Sequence, residues 1–220
     1  MKIFSLDSPF FQFMEKVADY FIVNILTALL FLPVITGGAA ITAAHKVMQN
    51  FASKNEQPIV RTYFKTFAAE FKQSTIVWLI VLGILGLLVG NIFLVYLNFS
   101  GNLAFFLYLA LGIASVVFLG TAAFAFPMIA RYENTLKQHL RNSLLLAIGN
   151  LPKTILMLAL YAIPVAILVA SVQIFFNTLF IWLLFGIALI INLETRIIFP
   201  IFQKLEDVSE EDAENTETEN

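Results

Sequence analysis

The chain contains no cysteine and only two histidines, His45 and His139. Disulfides, thiolate metal sites and a cysteine nucleophile are therefore excluded, and a histidine-rich metal centre is not expected. Charge is scarce, with 13% Asp, Glu, Lys and Arg against about a quarter in ordinary soluble domains. Catalytic signatures are missing too. There is no phosphate-binding P-loop, no His-Glu-x-x-His and no nucleophile elbow. By itself the chain is thus not expected to be an enzyme or an ATP-driven pump, and no cofactor is implied.

What is present is hydrocarbon. Apolar residues make up 60% of the 220 positions, where soluble domains hold about 45–50%. Residues 73–130 and 154–193 carry no charge, and each stretch is long enough for two helices of about 20 residues. Asn98-Phe99-Ser100-Gly101-Asn102 marks the first internal turn, and a polar break near residues 173–178 marks the second. A further uncharged stretch runs from Tyr20 to Ala44. The predicted spans are 20–42, 75–98, 103–130, 154–175 and 178–200.

The pattern predicts an all-α integral membrane protein, a bundle of about five transmembrane helices with two cytoplasmic amphipathic helices. Lys and Arg concentrate in the connections 43–74 and 131–153 and are missing from the turns near 99–102 and 176–177. The positive-inside rule then puts both basic connections in the cytoplasm of a bacterial cell membrane, with the N-terminus outside and the C-terminus cytoplasmic. Residues 1–19 read as an interfacial N-terminal segment, not a cleaved signal peptide, because Asp7, Glu15 and Asp19 precede the first apolar run. Residues 20–205 form the five-helix membrane domain. Residues 206–220 hold Glu206, Asp207, Glu210, Glu211, Asp212, Glu214, Glu217 and Glu219 without one base, and read as an acidic disordered tail.

Three predicted spans end alike, at Phe31-Leu32-Pro33, Phe126-Pro127 and Phe199-Pro200, where proline bends or loosens the last turns. The first two run into basic segments with helical apolar stripes, one through Val60, Tyr63, Phe64, Phe67 and Phe71, the other through Tyr132, Leu136, Leu140, Ser143 and Ala147. The chain reads as one opening helix followed by two copies of a cytoplasmic helix and a membrane hairpin. Gly86 and Gly90 form a small-xxx-small pair of the kind that packs helices closely.

Polar residues at membrane depth are the candidate functional groups. They are Asn91, Asn192, Glu194 and Arg196. Glu194 and Arg196 diverge by about 200° on a helix, so each needs a partner elsewhere. Arg131 and Glu133, at the end of the third span, are the candidate ion-pair partners. Lys65, Lys72, Lys137 and Arg141 form a candidate face for a protein partner or for anionic lipid. Membrane orientation accounts for this positive charge, so nucleic acid is not an expected partner.

Several runs carry a family resemblance. Pro33-Val34-Ile35-Thr36-Gly37-Gly38-Ala39-Ala40-Ile41-Thr42-Ala43 resembles the first-helix signature of the YesL-like family of bacterial membrane proteins. Phe64-Lys65-Thr66-Phe67 with Phe71-Lys72-Gln73-Ser74-Thr75 is similar as well. So are Phe126-Pro127, Arg131-Tyr132-Glu133-Asn134-Thr135 and Leu151-Pro152-Lys153-Thr154. The likeness spans about residues 1–205. It implies a protein of unknown molecular activity, encoded near carbohydrate-uptake systems, and offers no site residues to carry over. Glu133 and Leu151-Pro152 also stand at the spacing of the loop through which sugar ABC permeases dock their ATPase. Asn134, Thr135, His139 and Gly149 replace the other positions of that pattern. The expectation is a non-enzymatic accessory component of a carbohydrate-uptake system, with sugar ABC-transporter subunits and the lipid bilayer as partners. The alternative is a small-solute transporter or permease-like subunit in its own right.

Overall fold

In hydrocarbon a chain must satisfy its own backbone hydrogen bonds, and a helix does so within one segment. The computed structural model, which describes residues 9–55 and 57–218, is all-helical, with no strand among those residues. Its helices are α1 (Pro9–Phe31), α2 (Gly37–Ala52), α3 (Ile59–Asn98), α4 (Gly101–Arg131), α5 (Leu136–Gly149), α6 (Leu151–Ala170), α7 (Val172–Ile181) and α8 (Ile187–Thr218). A single π-turn, Trp182–Gly186, joins α7 to α8. Four segments are long and apolar enough to cross a membrane: Ile59–Asn98, Gly101–Arg131, Leu151–Ala170 and Val172–Val208.

The expected first span, 20–42, is a fold-back instead of a crossing. Proline cannot continue the hydrogen-bond ladder, and α1 stops two residues before Pro33. Val34 then takes a left-handed conformation, φ 50°, which reverses the chain into α2. The far ends of the two helices meet, with the Tyr20 and Phe51 rings 6.2 Å apart. Tyr63 of α3 straddles the pair, its hydroxyl 3.2 Å from Thr27 Oγ1 on α1 and 3.1 Å from the Ala40 carbonyl on α2. The Trp78 indole N–H closes the turn by donating to the Val34 carbonyl at 2.7 Å. The hairpin therefore enters and leaves at one end of the molecule. Two helices joined by a turn stand where one continuous span was expected, which leaves four helices of spanning length among the described residues.

Gly38 makes this arrangement possible. A Cβ there would run into the Ser74 carbonyl oxygen and come within 2.6 Å of Trp78 Cβ, so α2 and α3 touch backbone to backbone. Small residues follow, and Gly37 to Ala40, Thr42 to His45 and Val47 to Gln49 are buried. α2 is the central helix of the fold, packed against α1, α3, α4 and α8.

The remaining chain makes two hairpins. α3 turns at Phe99 and Ser100 into α4, helped by Gly101 at φ 63°. The first predicted amphipathic segment is fused to its span, since α3 runs unbroken for 40 residues, about 60 Å at 1.5 Å per residue. The second is a separate helix, α5, which opens with a capping box between Thr135 and Gln138. The second hairpin turns at Ser171, earlier than the expected 176–177. Ser171 Oγ accepts from the Ile174 N–H, and Gln173 bonds Asn177 along one face of α7. Those polar residues decorate a helix and do not break one. Pro127 and Pro200 stay inside α4 and α8, so of the three similar span ends only Pro33 interrupts a helix.

Three buried clusters form the core. Val23, Met48, Tyr63 and Ile191 anchor one, Phe124, Met157 and Phe202 the second, Val77, Phe126 and Ile129 the third. All lie toward the end that carries the basic residues. At the other end Leu87, Phe93, Tyr96, Phe105, Phe106, Val169, Phe176 and Phe180 are exposed, apolar surface that suits hydrocarbon and not water. Gly86 and Gly90, expected to pack against another helix, face open space, and a Cβ at either would meet nothing within 4 Å. α8 continues as helix through the acidic stretch to Thr218, where the composition predicts no regular structure. Residues 1–8 of the expected interfacial segment, and 219–220 of the tail, lie outside the described residues.

Candidate functional site

Glu194 is the most deeply placed acid among the described residues, fully buried on α8. Its Oε2 accepts a hydrogen bond from the Tyr161 hydroxyl of α6 and lies 3.5 Å from His45 Nε2 of α2. Three helices thus deliver three ionisable side chains to one point, and His45 is as buried as its partner at 1% exposure. Glu194 Oε1 and His45 Nδ1 have no hydrogen-bond partner among the described residues. One turn along α2, Gln49 is also buried and donates to the Pro127 carbonyl of α4 at 2.9 Å. His45 and Gln49, four residues apart, share one helix face.

The hairpin that carries His45 is fastened to α8 by Asn24. A π-turn leaves backbone groups without their usual i to i−4 partners. The Asn24 amide donates to the carbonyls of Leu183 (2.6 Å) and Trp182 (3.3 Å), and its oxygen accepts from the Ala188 N–H at 2.9 Å. Gly186 belongs to the same device, because a Cβ there would collide with the Trp182 ring.

The other predicted site residues do not join Glu194. Asn91 is exposed and bonds the Leu87 carbonyl of its own helix. Asn192 is half-buried and Arg196 exposed. Neither expected ion pair forms. Arg131 holds Glu206, with Nε and a terminal nitrogen each 2.7 Å from a carboxylate oxygen, while Glu133 is exposed. The Arg131 guanidinium also lies 5.1 Å from the Phe199 ring centroid and 5.7 Å from that of Phe202. The physical reason is register. Arg131 lies level with Glu206, about three turns along α8 from Glu194.

Lys65, Lys72, Lys137 and Arg141 are exposed and form no ion pair among the described residues. α3 and the α4–α5 loop enclose an open groove of about 560 Å³, lined by Glu70, Lys72, Gln73, Tyr132, Glu133 and His139 among others. Gln73 bridges its walls by donating to the Asn134 carbonyl at 3.0 Å. Burial pushes the His139 imidazole below the ordinary histidine range. No group of three or more potential metal ligands gathers among the described residues.

Sequence reasoning singled out Glu194 but missed its companions. His45 follows a run of small residues and is next to Lys46, whereas Tyr161 and Asn24 sit in apolar runs. A polar side chain isolated in an apolar run is the available signal, and it applies to Tyr161 and Asn24 but not to His45.

Four apolar helices long enough to cross a membrane mark a multi-pass membrane protein. Residues 20–92 match the family model described as "Protein of unknown function, DUF624", consistent with the YesL-like resemblance. The matched segment covers the fold-back from Tyr20 onward and most of α3, and it includes His45. No curated protein and no solved structure matches the chain.

Proposed function

We propose that this chain is a non-enzymatic accessory component of a carbohydrate-uptake system in the bacterial cell membrane. The observation that carries the reading is the exposed basic set Lys65, Lys72, Lys137 and Arg141, without an ion pair among the described residues, on the two helices that border the polar groove. Burying such charges against an acidic partner face gives orientation and fast association. The resemblance supplies the kind of partner, the membrane or ATPase subunits of a sugar ABC transporter. By the positive-inside rule this end is cytoplasmic. Because the α1–α2 hairpin enters and leaves at that end, both termini of the described chain fall on the cytoplasmic side.

Purification of the native protein in mild detergent, followed by mass spectrometry, tests the reading. Stoichiometric sugar-permease or ATPase subunits, lost when the four basic residues are changed to Gln, support it. A protein that emerges alone overturns it. Binding of the wild type, but not the variant, to anionic vesicles would assign the charges to lipid instead. A second reading, a small-solute transporter in its own right, is favoured by the buried polar centre around Glu194, and solute uptake by the purified chain in liposomes tests it.

A further inference from the structure

Few groups face Glu194. α6 brings the Tyr161 hydroxyl and α2 brings His45 Nε2. α1 brings Asn24, committed to the π-turn, and Thr27, bonded to its own helix. α3 brings Tyr63, occupied by Thr27 and Ala40, and α4 brings the Pro127 carbonyl, taken by Gln49. Lys46, next to His45 on α2, is half-buried and feels the charges of Arg131, Glu70 and Lys65. A buried carboxylate with one donor and a bare second oxygen is expensive in a low-dielectric interior. One proton on Glu194 relieves the cost.

We propose that Glu194, His45 and Tyr161 form an intramembrane proton-binding site whose ligand is a single exchangeable proton. Uptake places the proton on a Glu194 oxygen, beside His45 Nε2. Release leaves the carboxylate held by the Tyr161 hydroxyl. Gln49, with its oxygen buried and unpartnered one turn away, extends the polar row along α2 toward the basic end. The site goes beyond the docking reading and does not depend on it. Because its three groups come from three helices, gain or loss of the proton alters how the α1–α2 hairpin is held to α6 and α8.

Infrared difference spectroscopy of the full chain in lipid, recorded as pH is stepped upward from above the range in which exposed carboxyls titrate, tests the proposal. The wild type should show a protonated-carboxyl stretch that disappears as pH rises. Glu194→Gln should abolish it, Tyr161→Phe should shift its frequency, and His45→Gln should move its midpoint. A wild type without such a titrating band overturns the proposal, as does a band that survives Glu194→Gln. If Glu194→Gln does not fold, Tyr161→Phe and His45→Gln decide, and a band unaffected by both overturns the shared site.

Discussion

Arg131, the last residue of α4, grips Glu206 of α8 through two parallel hydrogen bonds of 2.7 Å. The guanidinium also lies close to the Phe199 and Phe202 rings, so the two hairpins are tied at the basic end by charge, geometry and aromatic contact together.

Breaking that tie should loosen the end of α8. Glu206 is 37% exposed as a side chain, so solvent screening keeps the effect of Glu206→Gln to about 1 kcal/mol. Arg131→Ala should cost more, because it also removes the packing on both rings. Thermal unfolding in detergent checks the order. Equal losses for the two variants would show that the rings contribute nothing.

Asn24→Ala should be the more damaging change, although Asn24 carries no charge. It strips two carbonyls and one N–H around the π-turn of the side chain that bonds them. Leaving a buried polar group unsatisfied costs about 1–3 kcal/mol, and the loss should appear as a lower unfolding temperature. Asn24→Asp should be at least as damaging, because it removes the donor and aims a buried carboxylate at two carbonyl oxygens. A fully stable Asn24→Ala would mean that the π-turn relaxes to ordinary helix without cost.

The class of the protein was legible because charge-free stretches at 73–130 and 154–193 have only one physical use. The fold-back was not. A window of apolar residues from Tyr20 to Ala44 reads the same whether the chain crosses or reverses, and only Pro33 and the paired glycines hint at the second. Glu194 was legible as an acid in an apolar helix. Its partners were not, because Tyr161 is 33 residues away and His45 much farther, and no local pattern links such positions. Arg131 was legible as a group that needs a partner. Glu206 was hidden as that partner, because it opens an acidic run whose composition alone reads as unstructured.

Two glycines should behave in opposite ways. Gly38→Ala forces α2 off the Ser74 backbone, which the surrounding helices cannot easily absorb, and overpacking of this kind costs about 1–3 kcal/mol. Gly86→Ala adds a methyl to open space on a helix and should leave the unfolding temperature of the monomer unchanged or raise it. A large loss at Gly86 would instead reveal a contact with a second copy of the chain.

The fold-back makes a topological prediction that a cysteine-free chain is well suited to test. Lys16, Ser53 and Lys137 are exposed toward the basic end, while Ser100 sits in the opposite turn between α3 and α4. Single cysteines at the first three positions should react with a membrane-impermeant thiol reagent only from one side of the bilayer, and Ser100→Cys only from the other. A continuous first span would place Lys16 with Ser100. Labelling of Lys16→Cys and Ser53→Cys from opposite faces would therefore rule out the hairpin, and with it the placement of His45 beside Glu194. Labelling from the same face leaves four crossings and an even count, so that the chain begins and ends on the side where its lysines and arginines gather.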